Sequence, residues 1–299
     1  MPSLLDRAVV TLLPAVPKPV VRRLSSRYIA GSELEDARRV VTRLNAKGKL
    51  ATVDVLGEVI TSAEEATAIT RAYLDVLDML DADGLDANVS VKLTGLGLML
   101  DPSLARENLK AIAARGTFVR IDMEDSSTTD ATLELYRSLV AEGYGNLGVV
   151  LQAALRRTVD DARALAGANV RLCKGIYLEP PELAYHGFDE IRDSYLRTLD
   201  VLLDGGCYVG IATHDEYLAE RGVAAVRERG LDPSGYELQL LLGVRPDLAD
   251  RLVADGHRVR IYVPFGRQWY EYSLRRLQEN PKIAGYVAGD LGRSLLRRR

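Results

Sequence analysis

The chain has 299 residues, of which 47% are hydrophobic and 27% charged, and its formal net charge is −3. That is enough apolar side chain for a sizeable core, and the slight acidic excess argues against a nucleic-acid partner. Cys173 and Cys207 lie in apolar, strand-like runs and read as buried thiols of a reducing, cytoplasmic compartment. His186, His214 and His257 are far apart and lack the spacing of a zinc motif, so no metal site is expected.

Residues 1–47 precede the first strand pattern and read as a helical segment packed on the rest, with a helix over Glu33–Leu44. The apolar run Ala8–Leu13 follows Asp6 and is followed at once by prolines, which is not the order of a signal peptide. No apolar stretch reaches the length of a membrane span. The alternative for this segment is a peripheral contact on the inner face of the membrane through Leu4, Leu5, Val9, Val10 and the basic Arg22-Arg23.

Eight β-rich runs follow: Leu50–Val55, Asn88–Leu93, Thr117–Met123, Leu147–Gln152, Asn169–Cys173, Cys207–Ala212, Tyr236–Leu241 and Arg258–Val263. Each leads into a helical pattern. Ser62-Ala63-Glu64-Glu65 and Thr158-Val159-Asp160-Asp161 read as capping boxes, and Asp101-Pro102 as an N-cap followed by Pro at the first helical position. Gly143, Gly205-Gly206 and Gly256 fall near helix ends. The last strand passes through Phe265-Gly266 into a helix that carries Arg275 and Arg276 and stops before Pro281; Val287–Arg299 reads as a basic helical tail. Strands alternating with helices imply a parallel sheet with right-handed crossovers. Eight repeats of about 30 residues favour an α/β fold of the closed (βα)8, TIM-type kind, with residues 48–299 as one barrel domain and 1–47 packed against it.

Chemistry in such a barrel belongs at the carboxyl ends of the strands. Those ends carry Asp54 and Glu58; Lys92 and Thr94; Asp122 and Glu124; Gln152; Arg171 and Lys174; Thr213, His214 and Asp215; Gln239; and Tyr262. There is no GxGxxG, P-loop or GxSxG pattern. Lys92 and Lys174 are each placed to form a Schiff base or to pair with a carboxylate such as Asp122. Asp122, Glu124 and Asp125 do not converge on one point, so they make a poor cation site. Adjacent arginines on a helix can clamp a carboxylate with two planar forks, or simply complement the helix terminus. Tyr270 and Tyr272 read as packing residues, and Glu279 stands one turn after Arg275 in pairing distance.

Taken in order, VDVLGE (53–58), VSVKLT (89–94), RIDMED (120–125), VVLQA (149–153), RLCKGIYLEP (171–180), IATHDE (211–216), YELQLLLG (236–243) and YVPFGRQWYEYSLRRLQENP (262–281) resemble the proline dehydrogenase family. These are FAD-dependent (βα)8 flavoenzymes, and the resemblance, to the short monofunctional bacterial form, runs from about Asp54 to Pro281. It implies oxidation of L-proline to 1-pyrroline-5-carboxylate, the first step of proline catabolism, with electrons passed from non-covalently bound FAD to a quinone. It assigns the substrate carboxylate to Lys92, Arg275 and Arg276. Asp122 balances Lys92 and bonds to Tyr262, which packs over the substrate ring. Tyr177, Leu241 and Glu279 belong to the same small pocket. Arg171 corresponds to the arginine beside the reactive flavin nitrogen and Gln152 to a flavin-edge partner. Lys174 and Gly175 fit the phosphate and sugar region, with Thr213 and His214 near the pyrophosphate.

The chain departs from the family pattern at Ile176, where a smaller residue is usual, and at the apolar Leu240–Leu242. Both bear on whether proline or a relative of proline is the substrate. A carboxylate flanked by Arg120 and Lys92 is expected to have a lowered pKa, which makes Asp122 a fixed anion and not a general base. The competing readings are a Schiff-base lysine lyase of the aldolase or transaldolase type, a barrel that binds an amino acid without catalysis, and another flavin barrel such as a folate reductase.

Overall fold

A computed structural model of the protein describes residues 27–57, 60–270 and 273. Eight strands close into a parallel barrel in sequence order: β1 (Leu50–Val55), β2 (Ala87–Val91), β3 (Val119–Ile121), β4 (Leu147–Gln152), β5 (Asn169–Cys173), β6 (Tyr208–Ala212), β7 (Tyr236–Leu241) and β8 (Val259–Phe265). Closure is made by β1 against β8, with Leu50 opposite Arg260 and Val55 opposite Phe265. Helix α1 (Leu34–Asn45) precedes β1. Helices α2 (Ala63–Ala82), α3 (Pro102–Ala113), α4 (Thr129–Ala141), α5 (Thr158–Arg163), α6 (Phe188–Asp204), α7 (Glu216–Glu228) and α8 (Pro246–Ala254) follow β1 to β7. The chain turns helical again at Trp269, where Ser273 Oγ donates to the Trp269 carbonyl one turn back (2.5 Å). No helix among the described residues is long and apolar enough to cross a membrane.

Local chemistry explains the boundaries. Ser62 caps α2 by accepting the Glu65 N–H, and Asp101 caps α3 by accepting from Ser103 N with Pro102 at the first turn. The expected capping box at Thr158 does not form. Arg157 takes the N-cap position of α5, and Thr158 Oγ1 instead donates to the Gln152 carbonyl at the end of β4. That carbonyl lies where the strand ladder stops, so a buried acceptor recruits the hydroxyl. Strands β2 and β3 are shorter than their sequence patterns. The ladder ends at Val91 and Ile121, and a tight turn begins at Lys92, whose carbonyl accepts from Leu96 N.

The two faces of the strands differ sharply. Outward residues such as Val53, Val89, Val91, Ile121, Val149, Leu151, Leu172, Ile211, Leu238, Ile261 and Val263 are buried under the helices and form the core. Alternate, inward residues are mostly polar: Thr52 and Asp54, Asn88 and Ser90, Arg120 and Asp122, Arg171, Glu237 and Gln239, Arg260 and Tyr262. Glycine makes room for the bulkier members. A Cβ on Gly148 would lie 2.6 Å from Arg120 Nη1, and one on Gly210 would lie 2.4 Å from Gln239 Nε2.

Candidate active site

The carboxyl rim of the barrel surrounds a cavity of about 260 Å³. Its lining includes Lys92, Asp122, Gln152, Arg171, Lys174, Gly175, Tyr177, Thr213, His214, Leu241 and Tyr262. These are all the expected site residues that fall within the described part of the chain. Arg275, Arg276, Glu279, Tyr272 and Glu58 lie outside it, as do the N-terminal membrane-contact residues and the basic tail. Cys173, expected as a buried thiol, is half-buried and lines the same cavity, because it shares the inward face of β5 with Arg171. Cys207 is buried.

Asp122 is the hub. Its Oδ1 accepts from Arg171 Nη1 (2.6 Å) and Ser90 Oγ (2.6 Å), and its Oδ2 accepts from Tyr262 Oη (2.7 Å). The Arg171 guanidinium also stacks over the Tyr262 ring, 5.2 Å from its centroid. Burial alone would raise the Asp122 carboxyl. Arg171 and then Lys92, with the Ser90 and Tyr262 hydrogen bonds, overcome burial and hold it below the usual carboxylate range. The lowering was expected, but its main source differs. Arg120 points to the opposite end of the barrel, where it donates to the carbonyls of Val149 and Asn169.

Lys92 is balanced first by a residue to which the sequence reading gave no role. Its Nζ donates to Asp54 Oδ1 at 2.9 Å and to Tyr262 Oη at 3.3 Å, while Asp122 Oδ2 stands 3.7 Å away. Asp54 is wholly buried, and Tyr73 Oη from α2 lies 3.3 Å from its carboxylate. Two cations, Lys92 and Arg171, and two carboxylates, Asp54 and Asp122, therefore form one buried cluster. The Lys92 amine is thus committed to Asp54 and Tyr262, which disfavours its Schiff-base reading.

The segment between β5 and α6 builds the opposite wall. It leaves Cys173 through Gly175 (φ +93°), where a Cβ would press on Gln152 and Ala154 at 3.2 to 3.3 Å. It is pinned by Tyr185 N donating to the Ala154 carbonyl and by Glu179, whose carboxylate accepts from Ser126 N and Oγ (2.7 and 2.6 Å). Lys174 lies over the Phe188 ring (4.5 Å). Burial lowers its pKa, Asp215 opposes that and Arg192 adds to it. Asp215 is held by a two-pronged contact from Arg192 (2.8 Å twice), and Thr213 Oγ1 accepts from Asp215 N. His214 Nε2 accepts the Leu241 backbone N–H (2.9 Å), which ties the rim residue to the wall residue. Of the two sequence departures, Ile176 is 47% exposed at the cavity edge, and Leu240 is buried beside the cavity.

Three carboxylates grouped in the sequence part company. Glu124 accepts from Thr94 N and Oγ1, and Asp125 caps a short 3-10 turn at Ser126–Thr128. Among the described residues no three acidic, histidine or cysteine side chains converge to hold a metal. An anionic, electron-accepting dinucleotide does fit the donors present. Arg171 and Lys174 both line the cavity, Gln152 offers an amide, and the Gly175 backbone can be approached closely.

The family model for proline dehydrogenase matches residues 37–288. The chain is 36% identical over 274 residues to the proline dehydrogenase of Deinococcus radiodurans, covering 88% of each. It is 35% identical over 267 residues to proline dehydrogenase 1 of Bacillus subtilis strain 168, covering 87% of this chain and 88% of that one. Among solved structures it matches proline utilization A from Bdellovibrio bacteriovorus with a TM-score of 0.82 at 24% identity. That match covers 91% of this chain and 36% of the longer protein, and it shows the shared fold. Family model and relatives agree over nearly the whole length: the chain belongs to the proline dehydrogenase family.

Proposed function

We infer that this chain oxidises L-proline to 1-pyrroline-5-carboxylate with FAD held non-covalently, and that a quinone takes the electrons onward. One observation carries the reading: the Lys92–Asp54 and Arg171–Asp122–Tyr262 pairs face one cavity whose other wall is Gln152, Lys174, Gly175 and Tyr177. Bound FAD would supply the hydride acceptor, and Arg171, Gln152, Lys174, Gly175, Thr213 and His214 are the residues that would hold it.

The chain's own residues have separable tasks. Lys92 offers a cation to the substrate carboxylate, and Arg275 and Arg276 are proposed to supply two more. Such a concentration of positive charge favours an anionic partner. Tyr262, clamped by its hydrogen bond to Asp122 and by the Arg171 stack, gives a flat, fixed surface for a small saturated ring. Met123, Val150, Leu241 and Tyr177 supply apolar contact and limit water and ring size. The ring nitrogen must lose its ammonium proton before its neighbouring carbon gives up hydride. Asp122, already accepting three hydrogen bonds, is badly placed to take that proton.

The test is an absorption spectrum of the purified protein, followed by anaerobic addition of proline. Flavin bands that bleach with proline are expected, as is colour released to the supernatant on heat denaturation. A colourless protein, or a flavin indifferent to proline, would overturn the reading. Colour retained in the pellet would overturn non-covalent binding.

A further inference from the structure

Gln239 is buried on the inward face of β7, where it lines the cavity, and the family reading gives it no task. Its contacts leave it one orientation. Arg171 Nε, which can only donate, is 2.5 Å from Gln239 Oε1. Gln239 Nε2 in turn donates to Glu237 Oε1 at 2.5 Å. Turning the amide over would set donor against donor at Arg171 and acceptor against acceptor at Glu237, so the amide is locked.

Glu237 is itself fixed. It is 2% exposed, its Oε1 accepts from Arg260 Nε (2.8 Å), and its Oε2 accepts from Tyr208 Oη (3.1 Å). Arg260 is anchored on the Ala51 carbonyl (2.7 Å) across the β1–β8 seam. Burial would raise the Glu237 carboxyl, but Arg260 outweighs it and keeps the group ionised, hence an acceptor only. The neighbouring strand leaves room, since any side chain at Gly210 would strike Gln239 Nε2.

The consequence falls on Arg171. Gln239 holds its Nε from one side, and Asp122 (2.6 Å) and Ser90 (3.2 Å) hold Nη1 from the other. Nη2 is the nitrogen for which no hydrogen bond is made among the described residues, and Arg171 lines the cavity. We propose that Gln239, oriented by the Glu237–Arg260 pair beneath it, is a positioning residue for the oxidation, fixing the Arg171 guanidinium so that Nη2 faces the bound cofactor. The proposal rests on the reading of Arg171 as a cofactor-facing cation. Without Gln239 the guanidinium keeps its Asp122 contact but can swing about it, and electrostatic help that must be in place beforehand is weakened.

The experiment compares wild type with Gln239→Met, Gly210→Ala, Arg171→Met and Gln239→Met/Arg171→Met. Gln239→Met should lower kcat for proline at least tenfold while KM for proline stays within threefold. Gly210→Ala, which pushes on the same amide from β6, should lower kcat in the same direction and serves if Gln239→Met does not fold. In the Arg171→Met background, Gln239→Met should cost less than a further twofold, because its effect passes through Arg171. In protein stripped of flavin, the Arg171 Nε–H should give a slowly exchanging ¹⁵N-resolved proton signal in wild type and lose it in Gln239→Met. Unchanged kcat in both single variants, full additivity in the double variant, or persistence of that signal overturns the proposal. Wild-type protein that binds no flavin would sink the functional reading instead, and the Nε–H comparison would still decide whether Gln239 holds Arg171.

Discussion

Replacing Asp122 with Asn changes one oxygen to nitrogen at the hub of the site. The wild-type cluster is neutral, with Lys92 and Arg171 against Asp54 and Asp122. The variant carries one unbalanced buried cation, and its amide cannot accept on both arms. With Oδ1 kept for Arg171 and Ser90, Nδ2 faces Tyr262 Oη, which must turn from donor to acceptor, and approaches the Lys92 ammonium. Losing a hydrogen bond to a charged group costs about 1.5–3 kcal/mol. At 1.36 kcal/mol per factor of ten, kcat/KM for proline should fall roughly 10- to 200-fold.

That magnitude alone does not choose between roles, because removal of a general base is worth about 10²–10⁴-fold. The pH profile does. Asp122 is held below the usual carboxylate range first by Arg171 against its burial, so it is ionised long before the pH at which proline's amine titrates. The alkaline-rising limb of kcat/KM should therefore belong to the substrate and persist in Asp122→Asn. The assay is proline oxidation with a dye acceptor from mildly acidic to alkaline pH. A limb present in wild type and absent from the variant would show that Asp122 takes the proton and would refute the fixed-anion argument.

Arg275→Met and Arg276→Met should each raise KM for proline at least about 30-fold, the lower end of the 2–5 kcal/mol expected for a truncated buried charge pair. Bound flavin should stay near wild type, and unchanged proline kinetics would reduce the pair to an ordinary helix terminus. Acid stability follows from the Asp122 shift. Its folded pKa lies below the ordinary 3.8, so its contribution is intact above about pH 4 and is lost as pH falls through the lowered value. Thermal melts should show wild-type Tm dropping more steeply below pH 4 than that of Asp122→Asn; parallel curves would contradict the linkage. Ser62→Ala removes the acceptor for the Glu65 N–H at the start of the 20-residue α2 and should cost about 1 kcal/mol in a denaturant titration with kinetics unchanged.

The barrel was legible because its repeating units announce themselves: four of the eight strands, β1, β4, β5 and β7, coincide with their sequence runs end to end. The rim residues were legible because polar side chains at strand ends have few structural reasons to cluster. What escaped was pairing. Lys92 directly follows β2, which lies between β1 and β3, so sequence order alone offers it Asp54 and Asp122 equally. Register decides the matter: Asp54 stands opposite Ser90, and the lysine side chain reaches back over that layer to meet it. Glu237 escaped because it lies one layer below the rim, and without it the strand-end Gln239 had no partner to reveal its role. Their signal was present as strict alternation in T-V-D-V, E-L-Q-L and V-R-I-Y-V, where strands covered on both faces ordinarily read as continuous apolar runs.

That alternation separates stability from chemistry along β1, β5, β7 and β8. The outward apolar residues pack against helices and supply the burial that offsets chain entropy, while the inward polar residues satisfy one another in a column from Arg260 through Glu237, Gln239, Arg171 and Asp122 to Tyr262. Neighbouring positions should therefore respond in opposite ways. Ile261→Val, beside Tyr262, thins the outer core and should cost about 0.5–1.5 kcal/mol of stability with catalysis nearly intact. Tyr262→Phe keeps the ring and its stacking with Arg171 but frees one arm of Asp122, and should show first in proline turnover. A barrel filled with branched aliphatic side chains can spare its interior to packing. Here the interior is a charged scaffold, and its cost is met by pairing within the column, so single changes in it reach the rim.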